Sequence, residues 1–160
     1  MESKWGSIVC RLNSYPPGTN KLLPPCSEAN LREVQSKFGR LPNGVIEMLR
    51  HFNGGKLFVK TAQLVSIFRL STISSLPPME WAEDYCIDKF TPWWRAAGED
   101  RQNDWAIAMM NHGGLIIVDV DGRVREWDTA ERMWDPHSFD DFDEWVEDTL
   151  REGDAFLKEE

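Results

Sequence analysis

Residues 41–55 read LPNGVIEMLRHFNGG, and this stretch decides the fold because it holds the start, the body and the end of one helix. Pro42 suits a first helical turn, where its missing N–H costs no hydrogen bond. The apolar residues that follow recur at i, i+3, i+4 and i+7 and form one stripe: Val45, Met48, Leu49 and Phe52. Asn-Gly-Gly at 53–55 tolerates positive φ and predicts a reversal into the β-prone residues 56–59.

Patterns on either side of this stretch predict further elements. Ser27 is a favourable N-cap, and Leu31, Val34 and Phe38 repeat with helical spacing before Gly39 ends the helix. The next predicted elements are a strand at 57–59, a strand at 64–70, a linker at 71–78, a helix at 80–90 and an irregular connection at 91–104.

The clearest β pattern lies in residues 105–127. Strands are predicted at 105–110, 115–120 and 123–127, joined by a turn at 111–114 and a second turn at Asp121-Gly122. Asp-Gly between two β-prone runs is a strong hairpin signal, because a type I′ turn needs positive φ at both central residues. With the helices, this meander predicts an α+β fold in which helices pack on a mostly antiparallel sheet.

The sequence resembles the SUKH superfamily, which includes a yeast cell-wall-assembly regulator and many bacterial immunity proteins. The first part of the matching pattern is the helix-to-strand signature: Leu41, Pro42, Val45, Met48, Leu49, Asn53, Gly54 and Gly55. The second part is the meander with its turn at Asp121 and Gly122. The resemblance covers residues 27–150 and implies a cytoplasmic protein that binds another protein and needs no catalysis.

Length and composition favour one packed domain. The chain has 160 residues, 41% of them hydrophobic, with eight tryptophans. No apolar run approaches the roughly 18 residues of a membrane helix, and the N-terminus lacks a signal-peptide pattern, so we expect a cytoplasmic protein without membrane contact. Three widely spaced cysteines, Cys10, Cys26 and Cys86, predict free thiols rather than disulfides or a zinc site, and no cofactor is expected.

Domain boundaries follow from proline content and from the pattern of elements. Residues 1–26 contain two Pro-Pro pairs and predict an N-terminal proline-rich strap, with a short strand at 7–12. Such a strap either packs on its own domain or binds an aromatic groove elsewhere. Residues 27–152 form the single predicted domain, and 153–160 form a C-terminal tail.

Acidic residues are concentrated at one end of the chain. Residues 1–125 carry 15 Lys and Arg and 13 Asp and Glu, a net of +2, whereas residues 126–160 carry 3 and 14, a net of −11. This charge repels nucleic acid and anionic membranes and attracts basic partners.

The last helix carries much of this acid. It is predicted to start at Ser138, with Asp141 three residues later as in a capping box. Its inner face is apolar: Phe139, Phe142, Trp145, Val146, Thr149 and Leu150. Its outer face is anionic: Asp140, Asp141, Glu144, Glu147 and Asp148. That face is either solvated surface or a binding site for a basic partner.

Four tryptophans fall in the poorly patterned middle of the chain: Trp81, Trp93, Trp94 and Trp105. Aromatic rings with a polar atom are favoured anchors at binding surfaces, but most large aromatics are buried. Both interpretations stay open, and Trp93 and Trp94 join the acidic face as predicted partner-binding residues.

Catalytic patterns are weak. His51, His112 and His137 belong to no nucleophile or metal motif. Residues 119–122, Asp-Val-Asp-Gly, superficially match a calcium loop but lack its later ligands, so a hairpin turn is favoured. A small hydrolase would have to use Asp119, Asp121 or His112, brought together in one pocket.

Two classes of function remain. The first is a non-enzymatic immunity protein that binds and neutralises a cognate bacterial toxin, a basic nuclease, as a monomer or weak dimer. A regulator of the same family, with a cell-envelope or signalling partner, is the alternative within this class. The second class is the small hydrolase.

Overall fold

The computed structural model of the protein describes residues 4–71 and 85–159. Five α-helices and seven strands form in this part of the chain. They are, in order, α1 (Lys4–Ser14), β1 (Lys21–Leu22), α2 (Glu28–Phe38), α3 (Asn43–His51), β2 (Gly55–Leu57), β3 (Val65–Ile67), α4 (Ile87–Ala96), β4 (Trp105–Met110), β5 (Gly114–Val118), β6 (Val124–Asp128), β7 (Met133–Phe139) and α5 (Phe142–Glu159). No described helix is long and apolar enough to cross a membrane.

The seven strands form one sheet in which each strand pairs with its neighbours in the chain, so the order is β1 to β7. Every pair is antiparallel. The α+β prediction is therefore confirmed. The hairpin around Asp121-Gly122 is also confirmed, because Val118 pairs with Val124. Its turn is not of type I′, however, because Gly122 has a φ of +86° whereas the φ of Asp121 is not positive.

Helices cover both faces of the sheet. Glu126 and Trp127 are consecutive in β6 and so point to opposite faces. Glu126 shares a pocket with Trp145 of α5, whereas the ring of Trp127 lies 5.5 Å from that of Trp94 in α4. α5 therefore covers one face, where it contacts α1 and α3, and α4 covers the other.

The stretch at 41–55 folds as its pattern predicts. Val45, Met48 and Leu49 are fully buried on α3. After the helix, a Cβ on Gly54 would overlap the backbone of Phe68, and the φ of Gly54 is +70°. Only glycine therefore allows the two chain segments to approach this closely.

The N-terminal prediction is wrong: residues 7–12, predicted as a strand, belong to α1. Trp5, Ile8 and Leu12 recur at i, i+3 and i+7 and are buried. The Trp5 ring contacts those of Phe52 and Phe142, so this helix closes the core, although two proline pairs follow it.

The C-terminal third also differs from the prediction. β7 was not predicted, because it is an edge strand that contains Pro136 and is mostly exposed. The last helix consequently starts at Phe142 instead of Ser138, and it runs to Glu159, so the residues predicted as a C-terminal tail belong to this helix up to Glu159. Asp141 caps this helix, because its Oδ1 accepts the N–H of Glu144 at 2.8 Å. Glu144 Oε2 accepts the N–H of Asp140, the residue before the cap, at 3.2 Å, so the contact differs from a complete capping box.

The middle of the chain is more regular than predicted. Residues 91–96, predicted as irregular, belong to α4 although Pro92 lies inside that helix. Ile87, Thr91 and Trp94 are buried on one face, so tertiary packing outweighs the cost of the proline. Two predictions lie partly outside the described residues: the linker at 71–78, from residue 72 onward, and the helix at 80–90, as far as residue 84.

The first two predicted strands are real but displaced. β2 starts at Gly55 and ends at Leu57, because Phe58 has a φ of +53° and leaves the strand. β3 is limited to Val65–Ile67.

Candidate protein-binding site

A cleft of about 480 Å³ opens where the two parts of the sequence signature meet. One wall is the loop at residues 39–44 that leads into α3 and includes Leu41 and Pro42. The opposite wall is the β5–β6 turn at residues 119–122, and the start of α5 contributes Asp141 and Phe142. The signature residues Asp121 and Gly122 thus face the Leu-Pro loop, which lies some 80 residues earlier in the chain.

The floor of the cleft is apolar and firmly held. Leu41, Trp105 and Phe142 are buried beneath it. The guanidinium of Arg95 lies 4.7 Å from the ring centroid of Trp105 and donates to the carbonyl oxygens of Phe38 and Asp104, at 2.8 and 2.9 Å. Burial lowers the pKa of Arg95, and the charge of Asp104 partly opposes that effect. Arg95 therefore joins α2 to α4, and its side chain, held by these contacts, forms part of the cleft wall.

Asp119 uses its carboxylate to build the turn. Its Oδ1 accepts the N–H of Asp121 at 2.9 Å and that of Arg123 at 3.0 Å. Asp121 is exposed at the tip, and Val120 beside it is 71% exposed. The predicted turn is therefore confirmed, and it presents an apolar side chain between two acids at the mouth of the cleft.

The structure separates His112 from the two aspartates that the hydrolase alternative would use with it. His112 lies in the turn between β4 and β5, at the opposite end of β5 from Asp119, and its Nε2 is 3.1 Å from Oε2 of Glu126. His112 does not line the cleft that contains Asp119 and Asp121. Within the described residues, no group of acidic, histidine or cysteine side chains could hold a metal ion.

The acids predicted for the outer face of the last helix begin at the rim of this cleft, where Asp141 lies; Asp140 and Asp141 precede α5, and the other three are within it. Asp140, Asp141 and Glu144 are exposed, and Glu147 and Asp148 are half-buried. Asp148 pairs with Arg151 at 3.6 Å. Among the described residues, none of the other four carboxylates makes an ion pair. We name these four, Asp140, Asp141, Glu144 and Glu147, the acidic surface.

Other acids of α5 serve the fold instead. Asp143 Oδ1 accepts the indole N–H of Trp5 at 2.7 Å; burial raises the pKa of Asp143, and this hydrogen bond opposes the rise. Asp154 accepts hydrogen bonds from Arg11 and Tyr15. Burial alone would raise the pKa of Asp154, but these two donors outweigh it and hold the pKa below its usual value. These contacts join α1 to α5.

The prediction that Trp94 is a surface anchor is wrong. Trp94 is fully buried, and its indole N–H donates to Asp104 Oδ2 at 3.0 Å. Its ring packs against those of Trp127 and Trp134, at 5.5 and 5.6 Å. Trp105 is buried as well, whereas Trp81 lies outside the described residues.

Trp93 is 58% exposed and rests on Phe90, with ring centroids 5.5 Å apart. It belongs to α4, on the other face of the sheet from α5, so the structure does not bring it next to the acidic surface. The sequence interpretation missed the roles of Trp127 and Trp134. The guanidinium of Arg101 lies over the ring of Trp127, and that of Arg125 lies over the ring of Trp134. Residues 124–127, Val-Arg-Glu-Trp, do not alternate between apolar and charged, so the local sequence contains no signal for these contacts.

The fold and the site define an α+β domain with a cleft and an adjoining anionic helix face. A family model, SMI1 / KNR4 family (SUKH-1), matches residues 25–148, which is most of the chain. The chain therefore belongs to the SMI1/KNR4 (SUKH-1) family, and the resemblance seen in the sequence is confirmed. No curated protein matches the sequence significantly.

Proposed function

We propose that this protein is a non-enzymatic binding module that neutralises a cognate bacterial toxin by direct contact. The observation that supports this function is the position of the acidic surface: its four carboxylates make no ion pair in the described chain, and Asp141, one of the four, lines an apolar-floored cleft. Membership of a family that includes immunity proteins supports the same conclusion.

The chemistry of the partner follows from the charge. A nuclease has to hold phosphate groups, so its active surface is basic. An acidic surface attracts such a protein at long range and raises the rate of association, and an apolar cleft then supplies contacts that exclude water. The protein needs no catalytic group and no cofactor for this role, and it acts as a monomer or weak dimer in the cytoplasm.

Where a large secreted protein is encoded next to this gene, its C-terminal domain is the candidate toxin for the test. The triple variant Asp140→Lys, Glu144→Lys, Glu147→Lys reverses three charges of the acidic surface, leaving out Asp148 because Arg151 already pairs with it. We expect association to slow by at least about tenfold at low salt, with a weaker salt dependence. Stopped-flow or surface-binding kinetics at several salt concentrations measure both.

A matched control reverses three exposed acids that lie elsewhere and make no ion pair in the described chain: Glu99 and Asp100 after α4 and Glu131 in the β6–β7 turn. This control changes the net charge equally, so it separates the position of the charge from its amount. Equal slowing in both triple variants would contradict the assignment of the acidic surface. A neighbouring gene without such a toxin, together with binding to a cell-envelope or signalling protein, would favour the regulator alternative.

A further inference from the structure

A second concave site lies beside the acidic surface, between β7 and the middle of α5. It has a volume of about 230 Å³. Its floor is apolar and comes from both the sheet and the helix: Met110, Ile116, Val124, Phe139 and Trp145. Ile116, Val124 and Trp145 are buried, so the floor is part of the core. We name this site the α5–β7 pocket.

Carboxylates surround the mouth of the pocket: Glu126, Asp135, Asp148 and Glu152. One oxygen of each has a partner, namely the ring of His112, the N–H of His137, Arg151 and the amide of Gln63, respectively. The second oxygen of each has no hydrogen-bond partner in the described chain. Four oxygens are thus left to accept hydrogen bonds above an apolar floor.

The charges of the pocket are not balanced from within. Arg125 also lines it, but the guanidinium of Arg125 lies 3.9 Å from the ring centroid of Trp134. Trp134 pairs with Trp127, on the sheet face that α4 covers, so this charge points away from the pocket. Arg151 compensates only Asp148.

An apolar floor under a ring of carboxylates complements one kind of protein side chain. Lysine and arginine lay their aliphatic stems on apolar surface and keep the charged end in a polar environment. Their N–H donors form short, charge-assisted hydrogen bonds with carboxylates. We infer that the α5–β7 pocket receives a lysine or arginine side chain that projects from the protein partner.

The pocket and the acidic surface belong to one interface by this reasoning. Both use α5 as far as Glu152, and the ten helical steps from Phe142 to Glu152 rise about 15 Å. A standard interface of about 800 Å² per partner spans that distance. The inference rests on the proposed function, because it assigns to the same partner a second contact that acts after the encounter.

The direct test needs no toxin. A capped pentapeptide with one arginine between glycine and serine residues is titrated into the ¹⁵N-labelled full chain, and amide shifts are followed by NMR. The matched control peptide has citrulline, which is nearly isosteric but neutral. We expect the arginine peptide to shift amides at 135–139 and 145–152, and the citrulline peptide to leave them unchanged.

Isosteric variants locate the binding site. Glu126→Gln with Asp148→Asn should weaken peptide binding at least about tenfold, since both remove a charged acceptor. Glu99→Gln with Glu131→Gln removes two exposed charges elsewhere and should change binding less than about twofold. Asp135→Lys places an amine at the mouth and should compete with the peptide. The amide spectrum of each variant reports whether it folds.

With the peptides, each of the following results would overturn the inference: shifts spread over the whole anionic surface, equal weakening by both double variants, or binding of the citrulline peptide. Displacement of the peptide by calcium at the same amides would also overturn it, because the pocket would then be a cation site. In the toxin complex, Glu126→Gln with Asp148→Asn should raise the dissociation rate about tenfold and leave association nearly unchanged. An unchanged dissociation rate overturns the inference alone, whereas absence of any toxin binding by the natural chain overturns the proposed function.

Discussion

At the scale of single residues, Asn53 explains why the signature stretch ends as it does. Its side chain is fully buried. Its Oδ1 accepts the N–H of Leu70 at 2.8 Å and its Nδ2 donates to the carbonyl of Leu70 at 3.3 Å, so one amide satisfies both backbone groups of a residue beyond β3. No apolar residue of the same size offers this pair of contacts, and a buried backbone group without a partner is costly.

Replacement of Asn53 by leucine should therefore lower the free energy of unfolding by about 2–4 kcal/mol, since two buried backbone groups lose their partner. Urea unfolding followed by circular dichroism measures this change. Asn111 is exposed and donates to the carbonyl of Ala62 at 3.4 Å, so Asn111→Leu serves as the control and should cost less than about 1 kcal/mol. Equal costs at the two positions would show that burial of Asn53 does not govern stability.

At the scale of elements, α5 is adapted to the loop that follows β2. Gly153 is buried in this helix, and a Cβ there would overlap the ring of Phe58. Phe58 is fully buried and has a φ of +53°, which turns its ring out of the strand direction and toward the helix. At position 153, the close contact between the Phe58 ring and the backbone of α5 therefore outweighs the higher helix propensity of alanine.

The same substitution should have opposite effects in two helices. Gly6 lies in α1, and no described atom comes within 4 Å of the place that a Cβ would take, so Gly6→Ala should stabilise the protein by about 0.5–1 kcal/mol through helix propensity. Gly153→Ala gains the same propensity but overpacks the core, and we expect a net loss of about 2 kcal/mol. Thermal or urea unfolding of both variants checks the sign; stabilisation by Gly153→Ala would contradict the contact with Phe58.

At the scale of the whole molecule, α1 completes a core whose remaining parts lie far along the chain. The family match begins at residue 25, yet Trp5 is fully buried between the rings of Phe52 and Phe142. The contacts of Arg11 and Tyr15 with Asp154 join α1 to α5 a second time. Residues 4–14 are therefore a structural part of the domain rather than a strap on its surface.

Trp5→Ala should destabilise the protein by about 3–5 kcal/mol, because it opens a large cavity and leaves Asp143 without its indole donor. Trp93→Ala is the matched control: this ring is 58% exposed, and its loss should cost less than about 1 kcal/mol. Chemical unfolding with tryptophan-independent detection compares the two. Similar stability of both variants would contradict a structural role for α1.

The sequence by itself determined α2, α3 and the β4–β6 meander, because their signals are local. Ser27 caps α2 through Asn30, the stripe of α3 repeats every turn, and the Asp-Gly turn lies between its two strands. Such interactions join residues only a few positions apart, so the pattern contains all of the information that they need.

Only the tertiary structure decided the rest. The signature loops form one cleft, Trp94 is buried and α1 enters the core because residues far apart in the chain meet, as Trp5 and Asp143 do across 138 positions. β7 likewise depends on its partner β6, since an exposed edge strand with a proline has no apolar alternation of its own. Burial and convergence are properties of the packed chain, so local spacing could not predict which tryptophans and acids remain available to a partner.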